Sequence, residues 1–366
     1  MQARILENPG GGVFYLRVFF MAYPRFSEII KHFAPGWFAA VMGTGVLAMV
    51  SHGLAWHWPV LGKLAKGLHQ FNLALFAVLL LPWCLRWLMF PQQAWQALKH
   101  PVQANFYPTL SIALLVLAAQ AHTFGLSGSV VLGFWCAGVA LHFLFSFAVL
   151  FFMFNGEQVA VDHVTPANFI PAVGLVVMPL AGGQVMDMFT GELHTWVAVI
   201  NAIGLGAGSM MYLALLGLTM HRKFLHKPLR GPLTPTLWIH LAPIGVIPVS
   251  LLNLADRLPW PAAHEVAALV MLLIWGFGVW WLMMALLLTL AAWRAGQLPF
   301  ALSWWGFTFP LGAFASAGLR LNSLLSWSPV LAVAVLAWCL LCCFWLLTLL
   351  RTLKGMLDGS LWVPHG

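Results

Sequence analysis

Five times along this chain a proline stands at the mouth of an apolar, glycine-dotted stretch, and no acidic residue falls inside any stretch long enough to cross a membrane. The openings are Pro35-Gly36-Trp37, Tyr107-Pro108-Thr109, Ile170-Pro171-Ala172, Ala242-Pro243-Ile244 and Phe309-Pro310-Leu311. Successive prolines lie 73, 63, 72 and 67 residues apart, which suits one helical hairpin with its connections. Five hairpins predict ten spans, near 36–54, 69–91, 106–125, 129–154, 168–187, 195–220, 236–255, 262–293, 301–319 and 329–350. The fold class that follows is an all-α integral membrane protein, divided into a leader at 1–34, a membrane domain at 35–353 and a short tail at 354–366.

Composition leaves no soluble alternative. Hydrophobic residues make up 62% of the 366, charged residues 7%, and the mean hydropathy is +0.90, so the chain lacks the polar surface a water-soluble domain needs. The long second spans at 129–154, 195–220, 262–293 and 329–350 are richest in Leu, Phe, Trp and Val and are expected to face lipid. The first spans carry the glycines and prolines, among them Gly43, Gly45, Gly174, Pro179, Gly245 and Pro248. A weakened backbone is tolerated at membrane depth only where protein or a water-filled lumen satisfies it. The odd spans are therefore expected to form an inner ring bent by their prolines. Close helix packing is the competing explanation for any single glycine.

Basic residues set the orientation. Arg4, Arg17, Arg25, Lys31, Arg86, Lys99, Arg222, Lys223, Lys227, Arg230, Arg294, Arg351 and Lys354 fall on one side of the ten-span topology, and only Lys63, Lys66, Arg257 and Arg320 on the other. The positive-inside rule then puts both termini in the cytoplasm of a cell whose inner membrane holds the protein. The formal charge of +8 reflects this topology rather than nucleic-acid binding. Residues 1–34 hold four basic side chains and one short apolar patch, and read as a cytoplasmic leader rather than a cleaved signal.

All nine acids lie in connections, tails or span ends. Intramembrane carboxylates are the usual proton relays, so a built-in proton pump is not the expectation. An inner ring free of fixed negative charge, fed by basic loops, points instead to anions. Thr44, Thr109, Ser111 and Thr308, with helix-end dipoles and backbone N–H groups, are the groups available to choose among them. Other constellations carry less. His142 and His240 could ligate haem but have no partner pattern, so donation to a backbone carbonyl is the simpler role. His264-Glu265 lacks the second histidine of a zinc-protease motif, since position 268 is Ala. Cys84, Cys136, Cys339, Cys342 and Cys343 read as small packing residues, Gly204 and Gly208 as a close helix contact, and Trp56, Trp58, Trp83, Trp87, Trp260, Trp304 and Trp305 as interfacial belts. No metal, cofactor or enzymatic chemistry is called for.

The segment Ser303-Trp304-Trp305-Gly306-Phe307-Thr308-Phe309-Pro310-Leu311-Gly312-Ala313 is the most distinctive, because it places bulky rings at the mouth of the fifth inner helix. Together with Phe33 to Gly45 and Thr165 to Gly174, it resembles the tellurite-resistance/dicarboxylate transporter family. That family includes the slow-type anion channels of plant guard cells, a bacterial tellurite-resistance channel homologue, yeast malate permease and a sulfite efflux pump. The resemblance covers roughly residues 30 to 355. It implies a homotrimer in which each protomer has its own pore, formed by five inner helices from five quasi-repeated hairpins and occluded by a phenylalanine of the ninth. By position that residue is Phe309, with Phe307 as the alternative if the register differs by two. The remaining implied pore-lining or bend positions are Pro35, Gly43, Thr44, Gly45, Pro108, Pro171, Gly174, Pro243, Gly245, Thr308 and Pro310. The long phosphorylatable tails of the plant channels have no counterpart, so kinase control is not carried over.

Passive flux of small anions is the expected activity, with sulfite, tellurite-related oxyanions, mono- or dicarboxylates, chloride and nitrate as candidates. The alternative is a proton-coupled C4-dicarboxylate carrier, in which histidine or a boundary acid such as Asp162 or Glu265 would titrate. A haem-bearing oxidoreductase using His142 and His240 ranks last.

Overall fold

A computed structural model describes residues 25–156, 164–226, 228–229 and 231–362. Most of the leader, the acids Glu7, Glu157 and Asp162, and the basic residues Arg4, Arg17, Lys227 and Arg230 lie outside the described residues. Twelve α-helices run in order: α1 (Phe26–Lys31), α2 (Ala39–Leu54), α3 (Val60–Met89), α4 (Pro91–Lys99), α5 (Thr109–Thr123), α6 (Gly128–Phe154), α7 (Phe169–Met186), α8 (Gly191–Leu225), α9 (Leu241–Ala255), α10 (Ala263–Arg294), α11 (Thr308–Leu325) and α12 (Ser328–Leu357). No strand occurs among the described residues.

Two populations alternate. α2, α5, α7, α9 and α11 are 15 to 18 residues long, whereas α3, α6, α8, α10 and α12 run from 27 to 35. Each short helix packs on the long helix that follows it. The short helices also touch one another in the cycle α2, α5, α7, α9, α11 and back to α2, which closes a ring. Four of the short helices with their lead-ins bury 78 to 89% of their most apolar window, against 22 to 33% for the five long ones. The long helices thus form an outer shell. α3 starts at Val60, ahead of the expected position 69, and α8 continues to Leu225, because helix propagation carries their polar ends beyond the apolar core.

Among the described residues nine helices are long and apolar enough to cross a membrane. The ring helix α11 is not one of them, although it is 18 residues long and buried along most of its length. Arg320, Asn322 and two serines lower its hydropathy, and its Trp-rich lead-in adds little.

The five signature prolines lie at the starts of the ring helices rather than in their interiors. Each ring helix is preceded by a turn of 3₁₀-helix, at Pro35–Phe38, Gln103–Phe106, Pro166–Asn168, Gly231–His240 and Leu302–Phe307. Pro35 starts the first turn, Pro108 caps α5, and Pro171, Pro243 and Pro310 sit in the opening turns of α7, α9 and α11. A proline costs nothing there, since the first N–H groups of a helix have no internal acceptor and the ring presets φ. The interior prolines of the ring are Pro179 and Pro248.

Tryptophan N–H groups hold the shell to the ring. Trp345 donates to the Thr44 hydroxyl at 2.9 Å, Trp338 to Ser51 at 3.0 Å, Trp135 to the Met178 carbonyl at 3.0 Å and Trp281 to the Leu237 carbonyl at 3.1 Å. Trp56, Trp58 and Trp260 are exposed, as an interfacial belt requires, but Trp83, Trp304 and Trp305 are buried. Trp83 is enclosed by Phe38 and Tyr107, and Trp305 donates to Thr352 at 3.2 Å. The cysteines are free and, Cys342 excepted, exposed, so they lie on the outer surface rather than fill the interior. Gly204 and Gly208 seat α8 against the Leu175 and Ala172 carbonyls of α7. The described end of the tail is part of the fold: Lys354 lies within α12, and Trp362 stacks on Trp37 with ring centres 5.3 Å apart.

Candidate functional site

Two chambers lie inside the ring, and all five short helices or their lead-ins contribute to each. The near chamber, about 260 Å³, is walled by Pro35, Ala39, Met42, Gln103, Thr109, Ile112, Ile170, Val173, Thr236, Ile239, Ala242, Ser303, Trp305, Phe309 and Pro310, among others. The far chamber, about 220 Å³, is walled by Val46, Met49, Val116, Ala119, His122, Thr123, Leu180, Gln184, Gly245, Val246, Val249, Asn253, Phe309, Ala313 and Ser316. Near-chamber residues come from helix starts and far-chamber residues from helix ends, so the five ring helices run parallel. Their N-termini surround the near chamber. Each N-terminus carries the positive end of a helix dipole, equivalent to about half a charge, which makes this chamber attractive to anions without a cation in its wall.

Phe309 is the one residue shared by the two walls. It sits in the first turn of α11, 5% exposed, with Pro310 beside it on the near side. Phe307, two residues earlier, lines neither chamber. Its ring stacks on Phe344 of α12 at 4.7 Å and meets Trp238 and Trp304 edge-on. Helical geometry explains the difference, because a two-residue step turns a side chain by about 200° around the axis.

Of the other residues singled out by sequence, Pro35, Thr109, Gly245 and Pro310 lie in chamber walls. Gly43, Thr44, Gly45, Pro108, Pro171, Gly174, Pro243 and Thr308 do not. They lie at helix starts or helix contacts. A Cβ on Gly43 would overlap the Thr308 hydroxyl, which itself donates to the Trp305 carbonyl at 2.7 Å. Gly45 lies against Val116 and receives Gln120 Nε2 on its carbonyl at 3.3 Å, and Gly174 admits the His142 ring. That ring bridges three helices: Nε2 is 2.7 Å from the Pro171 carbonyl and Nδ1 is 2.8 Å from the Ser111 hydroxyl. His240 Nε2 is 3.1 Å from Lys223 Nζ, with its ring against Trp281. Both histidines thus have packing and hydrogen-bonding duties. Among the described residues no group of three His, Cys, Asp or Glu is placed to hold a metal.

A third cavity, about 450 Å³, shares Ala34, Pro35, Gln103, Ala301 and Leu302 with the near chamber and extends it outward. Its wall adds Lys31, His32, Arg86, Gln93, Gln96 and His100. Arg86 is held in place by its bond to the Phe33 carbonyl at 2.8 Å. At the opposite end Arg257 makes a two-pronged pair with Asp187, at 2.9 and 2.6 Å, joining the ends of α7 and α9. Asp256 faces His264 and Arg320 there. Among the described residues no carboxylate lies in either chamber wall, and His122 is the one titratable side chain in them.

Sequence reasoning missed Gln103, Thr236 and Ser303 in the near chamber and Gln184, Asn253 and Ser316 in the far one. A signal was present: wall residues recur every three or four positions from each helix start, as in Thr109, Ile112, Val116, Ala119 and Thr123, or Phe309, Ala313 and Ser316.

Comparisons with known proteins give the chain a family. Residues 32–353 match the family described as the voltage-dependent anion channel, SLAC1. The chain is 41% identical over 341 residues to an uncharacterized transporter of Methanocaldococcus jannaschii, covering 92% of this chain and 97% of that protein. It is 26% identical to the sulfite efflux pump of Arthroderma otae, covering 80% and 82%, and 20% identical to the malic acid transport protein of Schizosaccharomyces pombe, covering 92% and 82%. With the match running through every ring helix, this chain belongs to the voltage-dependent anion channel (SLAC1) family.

Proposed function

We propose that the ring is a conduction path for small anions and that Phe309 is its gate. The observation that carries this reading is that Phe309 alone belongs to both chamber walls. Anions collect in the basic outer cavity, enter a chamber ringed by five helix N-termini, and meet the phenyl ring as the remaining obstacle. Selection for charge comes from dipoles and hydroxyls rather than from a bound cation. Flux follows the electrochemical gradient, without enzymatic turnover.

In this reading α11 is the tenth span, since its partners α2 and α9 cross the membrane on either side of it. The ten spans form five quasi-repeated hairpins. The protein sits in the inner membrane with both termini cytoplasmic, as its basic loops favour, and assembles as a homotrimer with one pore per protomer. Sulfite and malate, the solutes named for relatives, head the candidates, with chloride and nitrate beside them.

The test is anion efflux from liposomes containing the purified protein, measured for chloride, nitrate, sulfite and malate. Phe309→Ala is expected to raise flux at least about tenfold, the effect of removing roughly 1.4 kcal/mol of barrier. Unchanged flux in a folded variant would remove Phe309 from the role. The coupled-carrier alternative is read in the same vesicles, where malate movement would shift internal pH and His122→Gln would abolish the shift.

A further inference from the structure

Outside the ring, a pocket of about 280 Å³ lies where the ends of α8 and α10 meet the lead-in to α9. It is on the same membrane face as the near chamber, because residues of that lead-in line both. Two cations, Arg222 and Lys223, stand in its wall, and Leu237, Leu288, Ala291 and Ala292 make an apolar side running along α10. We propose that this pocket binds the phosphate headgroup of an anionic membrane lipid, with an acyl chain lying on the α10 side.

Among the described residues the cations have no anion of their own: no ion pair includes Arg222 or Lys223, and no carboxylate lines the pocket. Arg222 Nε is buried without a hydrogen-bond acceptor, which is a costly arrangement for a guanidinium unless a ligand supplies one. Lys223 is fixed by His240, which takes one N–H at 3.1 Å, and by the Trp281 ring, 5.1 Å away. Its remaining two donors are unassigned. Positively charged clefts between membrane helices at the headgroup level suit phospholipid phosphates. The surroundings favour a lipid over a soluble phosphate: Phe224, Leu225 and Trp293, at the same helix ends, are 84, 68 and 66% exposed, an apolar surface beside the pocket. This pocket shares no residue with the chambers, so its occupant is distinct from the conducted anion.

Native mass spectrometry of the full chain in detergent tests the assignment, with phosphatidylglycerol, phosphatidylcholine and inorganic phosphate as probes. The wild-type protein is expected to retain phosphatidylglycerol in preference to phosphatidylcholine. Arg222→Gln should weaken that retention roughly fivefold, the factor for one cation at an anionic surface. Arg351→Gln, which removes an exposed charge from the end of α12, should leave it unchanged. Equal retention of the two lipids by the wild type would overturn the proposal whatever the variants do. So would equal losses in Arg222→Gln and Arg351→Gln, which would mark a general surface attraction. Displacement of phosphatidylglycerol by millimolar inorganic phosphate would assign the pocket to a soluble anion instead.

Discussion

α11 and α12 are neighbours in the chain and in space, yet their buried residues follow opposite patterns. In α12 burial picks out Val330, Ala334, Ala337, Leu341, Thr348, Thr352 and Gly355, a single stripe of steps of three and four residues, or multiples of them. In α11 it takes every residue from Thr308 to Ala315. The membrane accounts for both. A shell helix needs protein contacts along one seam, and its remaining surface is satisfied by lipid, so Leu, Phe and Trp can cover it. A ring helix is enclosed by four others and by the chambers, so it takes small residues where backbones approach and some polar ones where it lines a chamber. Apolar character therefore rises from the inside of this protein toward the outside, the reverse of a soluble protein.

Substitutions in the two regions should diverge accordingly. Phe307→Ala removes a ring packed between α11 and α12, and should cost about 3 kcal/mol of stability, read from the loss of folded protein on heating. Its flux, in whatever fraction folds, should stay near the wild-type level, in contrast to Phe309→Ala. A Phe307→Ala protein that conducts freely would exchange the roles of the two rings. Gly245→Ala puts a Cβ into the Ala313 carbonyl across the α9–α11 contact. A cost of roughly 1–3 kcal/mol is expected, because backbone cannot retreat as a side chain can. A stability equal to wild type would mean that the ring is looser than its contacts imply. At the small end, Phe147→Ala on the lipid-facing side of α6, 71% exposed, should change the melting temperature little, with ΔΔG within about 0.5 kcal/mol. A large loss there would show that the shell face is covered by protein.

Much of this division was legible in the sequence. The proline spacing located all five ring helices, and the acid-free spans left the chambers without a carboxylate. The role of the prolines was not legible, because a proline near a helix start and one that breaks a helix look alike until the start is known. Pro310 shows this: the 3₁₀ lead-in Leu302–Phe307 puts it in an opening turn. α11 falls short in hydropathy for a related reason, since Arg320 and Asn322 lie in its second half, where Arg320 pairs with Asp256. Thr44 looked like a lining hydroxyl, and only the approach of Trp345 turns it into a shell contact. The wall residues Gln184 and Asn253 lie near helix ends, where a polar side chain suggests a boundary rather than a lumen.

The lumen itself is tested most directly by thiol chemistry. In a background with the five native cysteines removed, Ala313→Cys places a thiol in the far chamber, one turn beyond Phe309. A membrane-impermeant thiol reagent added from the near-chamber side should fail to reach it while Phe309 is present and should label it once Phe309→Ala is added. No labelling from either face, with or without the phenyl ring, would contradict a continuous path through the ring.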